Sequence, residues 1–138
     1  MSISDQLHLN PEILRDVQIL IVDSDLDSRE LYAFVLESYG ARVTTTASVQ
    51  AGLDLLNQLM PRILICETRF PGEPIHPLLQ QIRYLALKCG KTIPILVTST
   101  CSLAEFMQQR QLQTEAYLCK PVNLDNLVDK ICNLTQEI

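Results

Sequence analysis

The chain has 138 residues, a formal net charge of −5, and 47% hydrophobic against 20% charged residues. That length suits one domain around a single buried core, with the ordinary composition of a soluble globular protein. An acidic balance without a Lys/Arg cluster argues against direct nucleic-acid binding, no apolar run approaches the ~20 residues that span a bilayer, and no signal peptide is visible at the start.

Residues 1–16, with Asp5, Glu12, Arg15 and Asp16, read as an N-terminal tail, and residues 17–138 as the domain. Residues 17–22 are an apolar, β-branched run, which predicts a strand buried on both faces. Residues 25–39 follow with Leu31, Phe34 and Val35 at helical spacing, and Gly40 marks the helix stop. Residues 41–45 are a short second strand. Ser48 is placed to cap a helix running to Met60 that buries Leu55, Leu56 and Leu59, and Pro61 ends it.

Residues 63–66 are the third strand, which turns abruptly polar at Glu67. Pro71, Pro74 and Pro77 stiffen the next loop, and a helix is expected over residues 78–89 before Gly90. Residues 93–97 form the fourth strand, with Pro94 near its start. Ser102 and Glu105 fit a capping box for a short helix to about Arg110. Residues 116–119 form the fifth strand, and Asn123 caps a last helix with Leu124, Leu127, Val128 and Ile131 on one face. Five βα units in strict alternation predict an α/β fold: a five-stranded parallel sheet with helices on both faces, in the flavodoxin-like order 2-1-3-4-5.

In such a sheet ligand chemistry gathers outside the carboxyl ends of the strands, near the switch between strands 1 and 3. Strand 1 delivers Asp23, Ser24 and Asp25; strand 3 delivers Glu67; strand 4 delivers Thr98, Ser99 and Thr100; strand 5 delivers Lys120 and Pro121. Two carboxylates ~4 Å apart repel by a few kcal/mol at an effective dielectric near 20, so Asp23 and Glu67 need a cation. A divalent metal, Lys120 or Arg69 could supply it.

The stretches "ILIVDSD", "ILICETRFPG", "ILVTST" and "YLCKP" stand in order, each at a strand end. Over nearly the whole chain this pattern resembles the receiver domain of two-component response regulators. The resemblance implies an acid pair after strand 1 that binds magnesium and an aspartate ending strand 3 that accepts a phosphoryl group. It also implies a hydroxyl after strand 4 and a lysine before a cis proline after strand 5.

Carried over, Asp23 matches the first acid, with Asp25 nearby in the acidic pocket. Thr98, with Ser99 beside it, matches the hydroxyl, and Lys120 the lysine. The Lys120–Pro121 bond is then cis, and Tyr117 is the aromatic that turns inward on activation, with Thr98 as its switch partner. Two positions depart: Ser24 stands where the second acid belongs, and Glu67 stands in the phosphoacceptor place. Glu67 is one methylene too long, which moves its carboxylate roughly 1.5 Å, and in-line phosphoryl transfer is sensitive to an ångström of misplacement. Magnesium, held through Asp23 and Glu67, is expected to bind weakly at best.

The implied function is a degenerate, stand-alone, cytoplasmic and non-enzymatic receiver-like protein. It is expected to contact a sensor histidine kinase or a downstream signalling protein, or a second copy of itself, through residues 102–134. Were Glu67 to imitate a phosphorylated acid, Thr98 would donate to its carboxylate and Tyr117 would be buried. Plainer readings stand beside these: Glu67 and Lys120 as a structural ion pair, Arg69 facing solvent, Tyr117 as packing, Asp25 and Asp27 as helix-start acids, and His8 and His76 on the surface.

The competing enzyme reading is a magnesium-dependent haloacid-dehalogenase-type phosphatase using Asp23 and Asp25, with Thr98 and Lys120 as its later hydroxyl and lysine. It lacks the further acid pair that such a site needs after a later strand. The five cysteines, Cys66, Cys89, Cys101, Cys119 and Cys132, are scattered and odd in number, and read as reduced thiols. A thiol redox switch on the same fold is a third possibility.

Overall fold

A computed structural model describes residues 10–100, 102, 107 and 111–136. Among these the elements run β1 (Gln18–Val22), α1 (Leu26–Ser38), β2 (Arg42–Thr46), α2 (Val49–Leu55), β3 (Ile63–Glu67), α3 (His76–Cys89), β4 (Ile95–Thr100), β5 (Ala116–Lys120) and α4 (Leu124–Thr135). The helix expected over residues 102–110 falls largely on residues outside the described set. Every strand pairing is parallel, in the order β2-β1-β3-β4-β5.

The three central strands are apolar on both sides because both sides are covered. Leu20, Val22, Leu64, Cys66 and Val97 pack with Leu78, Leu79 and Ile82 of α3 in one core layer. Ile19, Ile21, Ile63, Ile65 and Leu96 pack with Tyr32 and Leu36 of α1 and Leu127, Val128 and Ile131 of α4 in the other. Two-residue alternation along each strand thus feeds two separate layers.

Several expected boundaries move. α2 ends at Leu55, short of Met60, so Leu59 lies beyond the helix; Leu56 is buried, whereas Leu55 and Leu59 are only partly so. β4 begins after Pro94, which supplies no N–H, and extends through Thr98, Ser99 and Thr100. On α1 the buried stripe is Tyr32 and Leu36; Leu31 is 47% and Phe34 74% exposed.

The packed unit also reaches into the segment set apart as a tail. Leu14 is fully buried, and its N–H donates to the Tyr39 carbonyl at 2.9 Å. This contact explains Gly40. The residue sits at φ +95°, and a Cβ there would stand 2.9 Å from the Arg15 Cα.

Candidate functional site

β3 and β5 end on the charged residues Glu67 and Lys120, Asp23 follows directly on β1, and the three converge. Register places Glu67 beside Thr98 and Thr100 beside Lys120. Alternation puts Glu67, Thr98 and Lys120 on the α1/α4 side of the sheet, while Ser99, Tyr117 and Cys119 face the other side.

Lys120 is the hub. Its Nζ lies 2.9 Å from Asp23 Oδ2 and 2.9 Å from Glu67 Oε1. Glu67 Oε2 accepts from the Ser24 hydroxyl at 2.7 Å and from the Ser24 N–H at 3.1 Å. Asp23 Oδ1 accepts from the Asp25 N–H at 2.9 Å. Arg29 donates to the Asp23 carbonyl at 2.8 Å from the first turns of α1. The Glu67 carboxylate is therefore held at both oxygens, and the Lys120–Pro121 bond that follows the lysine is cis.

The electrostatics follow from this packing. Burial pushes the Asp23 carboxyl above its ordinary value, more than the Asp25 N–H and Lys120 lower it. Burial also pushes on Glu67, but hydrogen bonds from Ser24 and Lys120 outweigh it and hold this carboxyl below its ordinary value. Burial opposes the charge on Lys120, yet bonds to Glu67 and Asp23 keep its pKa raised.

The cluster does not suit a divalent cation. Two carboxylates share one ammonium, and the Ser24 hydroxyl beside them is already committed to Glu67. Among the described residues no group of three His, Cys, Asp or Glu side chains converges as a metal site. Magnesium prefers several hard oxygens around an open position, and here a cationic side chain stands between the two that are available.

The other expected residues are distributed more widely. Asp25 caps α1: its carboxylate accepts from the Ser28 N–H at 3.0 Å and takes the Ser28 hydroxyl, which holds its pKa below the usual range. That occupies the second acid of the phosphatase alternative. Arg69 is exposed and lines a cavity of about 360 Å³ with Thr68, Phe70, Pro71, Glu73 and His76. A second cavity of about 400 Å³ opens beside the cluster, between Asp25, Asp27, Ser28 and Leu31 of the α1 end and Lys120, Pro121 and Val122.

Thr98 is fully buried, and among the described residues its Oγ1 has no hydrogen-bond partner. The Thr98–Glu67 bond that imitation of a phosphorylated acid would require is not made; Glu67 turns toward Ser24 instead. Ser99, expected beside Thr98 at the phosphate-contact position, instead donates to the Tyr117 hydroxyl at 2.8 Å, on the opposite sheet face. Tyr117 is half-buried against the α3 layer, and its hydroxyl lies 3.3 Å from the Thr100 carbonyl.

The cysteines need a correction. Cys66, Cys89 and Cys132 are free, but Cys119 is disulfide-bonded rather than a reduced thiol. Arg29 and Ser28 were missed in the sequence. The Asp-x-x-Ser spacing of a helix cap was the available signal for Ser28, whereas nothing local marked Arg29.

Comparison with known proteins came out consistently. The family profile described as response regulator receiver domain matches residues 19–132. A protein of Leptolyngbya boryana described as "Uncharacterized 14.6 kDa protein in sodA1 3'region" is 32% identical over 126 residues, covering 88% of this chain and 94% of that one. The regulator of RpoS from Escherichia coli K12 is 33% identical over 106 residues, 76% of this chain but 30% of that protein. A two-component response regulator from Clostridium difficile superposes with a TM-score of 0.74 over 86% of this chain and 95% of that one. At 20% identity the last likeness speaks for the fold alone. No helix among the described residues is long and apolar enough to cross a membrane.

Proposed function

Because the chain belongs to the response regulator receiver domain family, we propose that it is a signalling module of a two-component or phosphorelay system that works by protein contact rather than by catalysis. In this reading it does not take a phosphoryl group in the ordinary way. One observation carries it: both oxygens of the carboxylate in the phosphoacceptor place are already bound, Oε1 by Lys120 and Oε2 by Ser24. An attacking carboxylate oxygen has to be presented to the incoming phosphorus with a metal beside it. Here Lys120 does the neutralising, and the extra methylene of Glu67 is used to reach Ser24.

Glu67 is thus an ion-pair residue that fixes the cleft in one arrangement, and not an imitation of a phosphorylated acid. Output passes through contact of residues 102–134 with a kinase or a downstream protein in the cytoplasm. The test is incubation with acetyl phosphate and magnesium, followed by intact mass. No gain of a phosphoryl group is expected. A clean gain on Glu67 or Asp23 overturns the reading. Restoring both acids, Ser24→Asp with Glu67→Asp, recovers part of the labelling, and Glu67→Asp alone recovers less.

A further inference from the structure

Five of the seven large hydrophobic side chains exposed among the described residues lie on two helices: Leu26, Leu31 and Phe34 on α1, Tyr84 and Leu87 on α3. Scattered singly, such residues need no account, but four of these are paired. Phe34 follows Leu31 by three positions and Leu87 follows Tyr84 by three, so each pair shares one helix face. Phe34 is 74% and Leu87 84% exposed. The buried stripes, Tyr32 and Leu36 on α1 and Leu78, Leu79 and Ile82 on α3, point the other way, into the sheet.

Opposite charges surround the two pairs. Asp27, Glu30 and Glu37 of α1 are exposed, and the one base of that helix, Arg29, is turned in to the Asp23 carbonyl. Residues 76–91 hold Arg83, Lys88 and Lys91, all exposed, and no acid. None of these six charges is in an ion pair among the described residues. Arg83 donates to the Leu112 and Gln113 carbonyls at 2.6 and 3.2 Å, neutral acceptors that leave its charge uncancelled. Lys88 Nζ lies 5.9 Å from the centre of the Tyr84 ring, which holds a cation at the edge of the apolar pair.

We infer that α1 of one copy docks on α3 of a second copy of this chain. Leu31 and Phe34 meet Tyr84 and Leu87, and the acids of one helix meet the bases of the other. The two helices cannot meet within one molecule, because α1 packs in one core layer and α3 in the other, on opposite faces of the sheet. They match in length, at 13 and 14 residues. A net charge of −5 sets copies of the chain against one another, so the run of bases on α3 marks the one helix face where an acidic copy is attracted.

Such an interface joins two different patches and is heterologous. Each copy in a pair keeps one face free, and association does not stop at two. Asp27 and Leu31 also line the cavity beside the acid cluster, so a neighbour seated on α1 covers the approach to Lys120 from that side. The inference goes beyond the signalling reading and does not rest on it, since it uses neither Glu67 nor phosphoryl chemistry.

The test is sedimentation of the full chain. Two helix faces make a small interface, so a dissociation constant on the order of 100 µM is expected. The weight-average mass should rise with concentration through that range and pass that of a dimer. It should fall when salt is raised from about 0.1 M to about 1 M, which shortens the screening length from about 10 to about 3 Å. Phe34→Ser and Leu87→Ser each remove an exposed contact, and unchanged circular dichroism and thermal unfolding verify that the fold is kept. Each variant alone should stay monomeric, since each lacks one of the two faces. Mixed in equal amounts they should form a dimer and nothing larger, because one sound α1 face and one sound α3 face remain. A wild-type chain that is monomeric up to about 1 mM, a single variant that associates as the wild type does, or a mixture that stays monomeric overturns the proposal. Association that strengthens with salt overturns the role given to the charges.

Discussion

Replacing Lys120 with methionine is the most direct probe of the acid cluster. The substitution keeps an unbranched side chain only one atom shorter and removes its charge. Each carboxylate lies 2.9 Å from the ammonium nitrogen, so their contacting oxygens can stand no more than about 6 Å apart. At an effective dielectric near 20 that separation leaves about 3 kcal/mol of repulsion uncovered. Removing one partner from a buried ion pair costs about 3–5 kcal/mol in general, and with the Asp23 and Glu67 side chains only 2% and 14% exposed the lower figure applies.

Urea unfolding at pH 7, followed by circular dichroism, should therefore show Lys120→Met destabilised by about 3 kcal/mol with an unchanged m-value. Adding Glu67→Gln, which removes one of the two like charges, should recover most of that loss. The penalty should also shrink toward pH 4, where a carboxylate takes up a proton. A loss below about 1 kcal/mol, or a double variant no more stable than the single, would refute the view that Lys120 is the internal counter-ion.

The same cluster predicts the alkaline limb. Lys120 is raised above its ordinary 10.5, so its contribution is complete below that pH and is lost as pH rises through the folded value. The stability gap between wild type and Lys120→Met should narrow above pH 10.5, and parallel curves would contradict this. On the acid limb, Glu67 is held below its ordinary 4.5 and contributes above it, while Asp23 is raised from 3.8 and opposes it. Glu67→Gln should flatten the loss of stability seen as pH falls below 4.5. Thr98→Val replaces a buried hydroxyl that has no hydrogen-bond partner among the described residues with a methyl, and should change stability by less than about 0.5 kcal/mol or raise it; a loss above about 1 kcal/mol would mean the hydroxyl is bonded. Gly40→Ala should cost about 1–3 kcal/mol by thermal unfolding, from both the positive φ and the collision with Arg15, and a neutral result would refute that account.

How far the sequence carried can be judged from particular residues. The sheet was legible because its central strands are buried on both faces and so read as unbroken apolar runs, punctuated by Gly40, Pro61 and Gly90. Ser24 and Glu67 were legible as a hydroxyl and a carboxylate placed after the first and third apolar runs. Their mutual bond was not, because it spans 43 residues and depends on a rotamer. Thr98 and Ser99 show the limit of reading by adjacency. Both follow the apolar run of β4, yet alternation sends them to opposite faces, and only the register reveals that Ser99 is the residue that meets Tyr117. Helix faces were less legible still. Leu31 and Phe34 have helical spacing but point outward, since Tyr32 and Leu36 already fill the layer against the sheet. The Cys119 bond had no local signature, as neither cysteine motif nor spacing announces it.

The ion pairs of Lys120 also bear on how the molecule assembles in time. They join residues 97 and 53 positions apart in the chain, and they require β1, β3 and the edge strand β5 all to be in place. Loops of that size are closed late, after nearer contacts have nucleated. The lysine is thus a latch that engages once the sheet is complete, and its stabilisation should fall on the escape from the native state rather than on the approach to it. In stopped-flow chevrons, Lys120→Met should accelerate unfolding about a hundredfold for a ~3 kcal/mol loss while the refolding arm stays near that of wild type. A refolding arm that falls in proportion would place the cluster in the folding nucleus instead. A chain of this design lengthens its native lifetime with a bond between its first strand and its last.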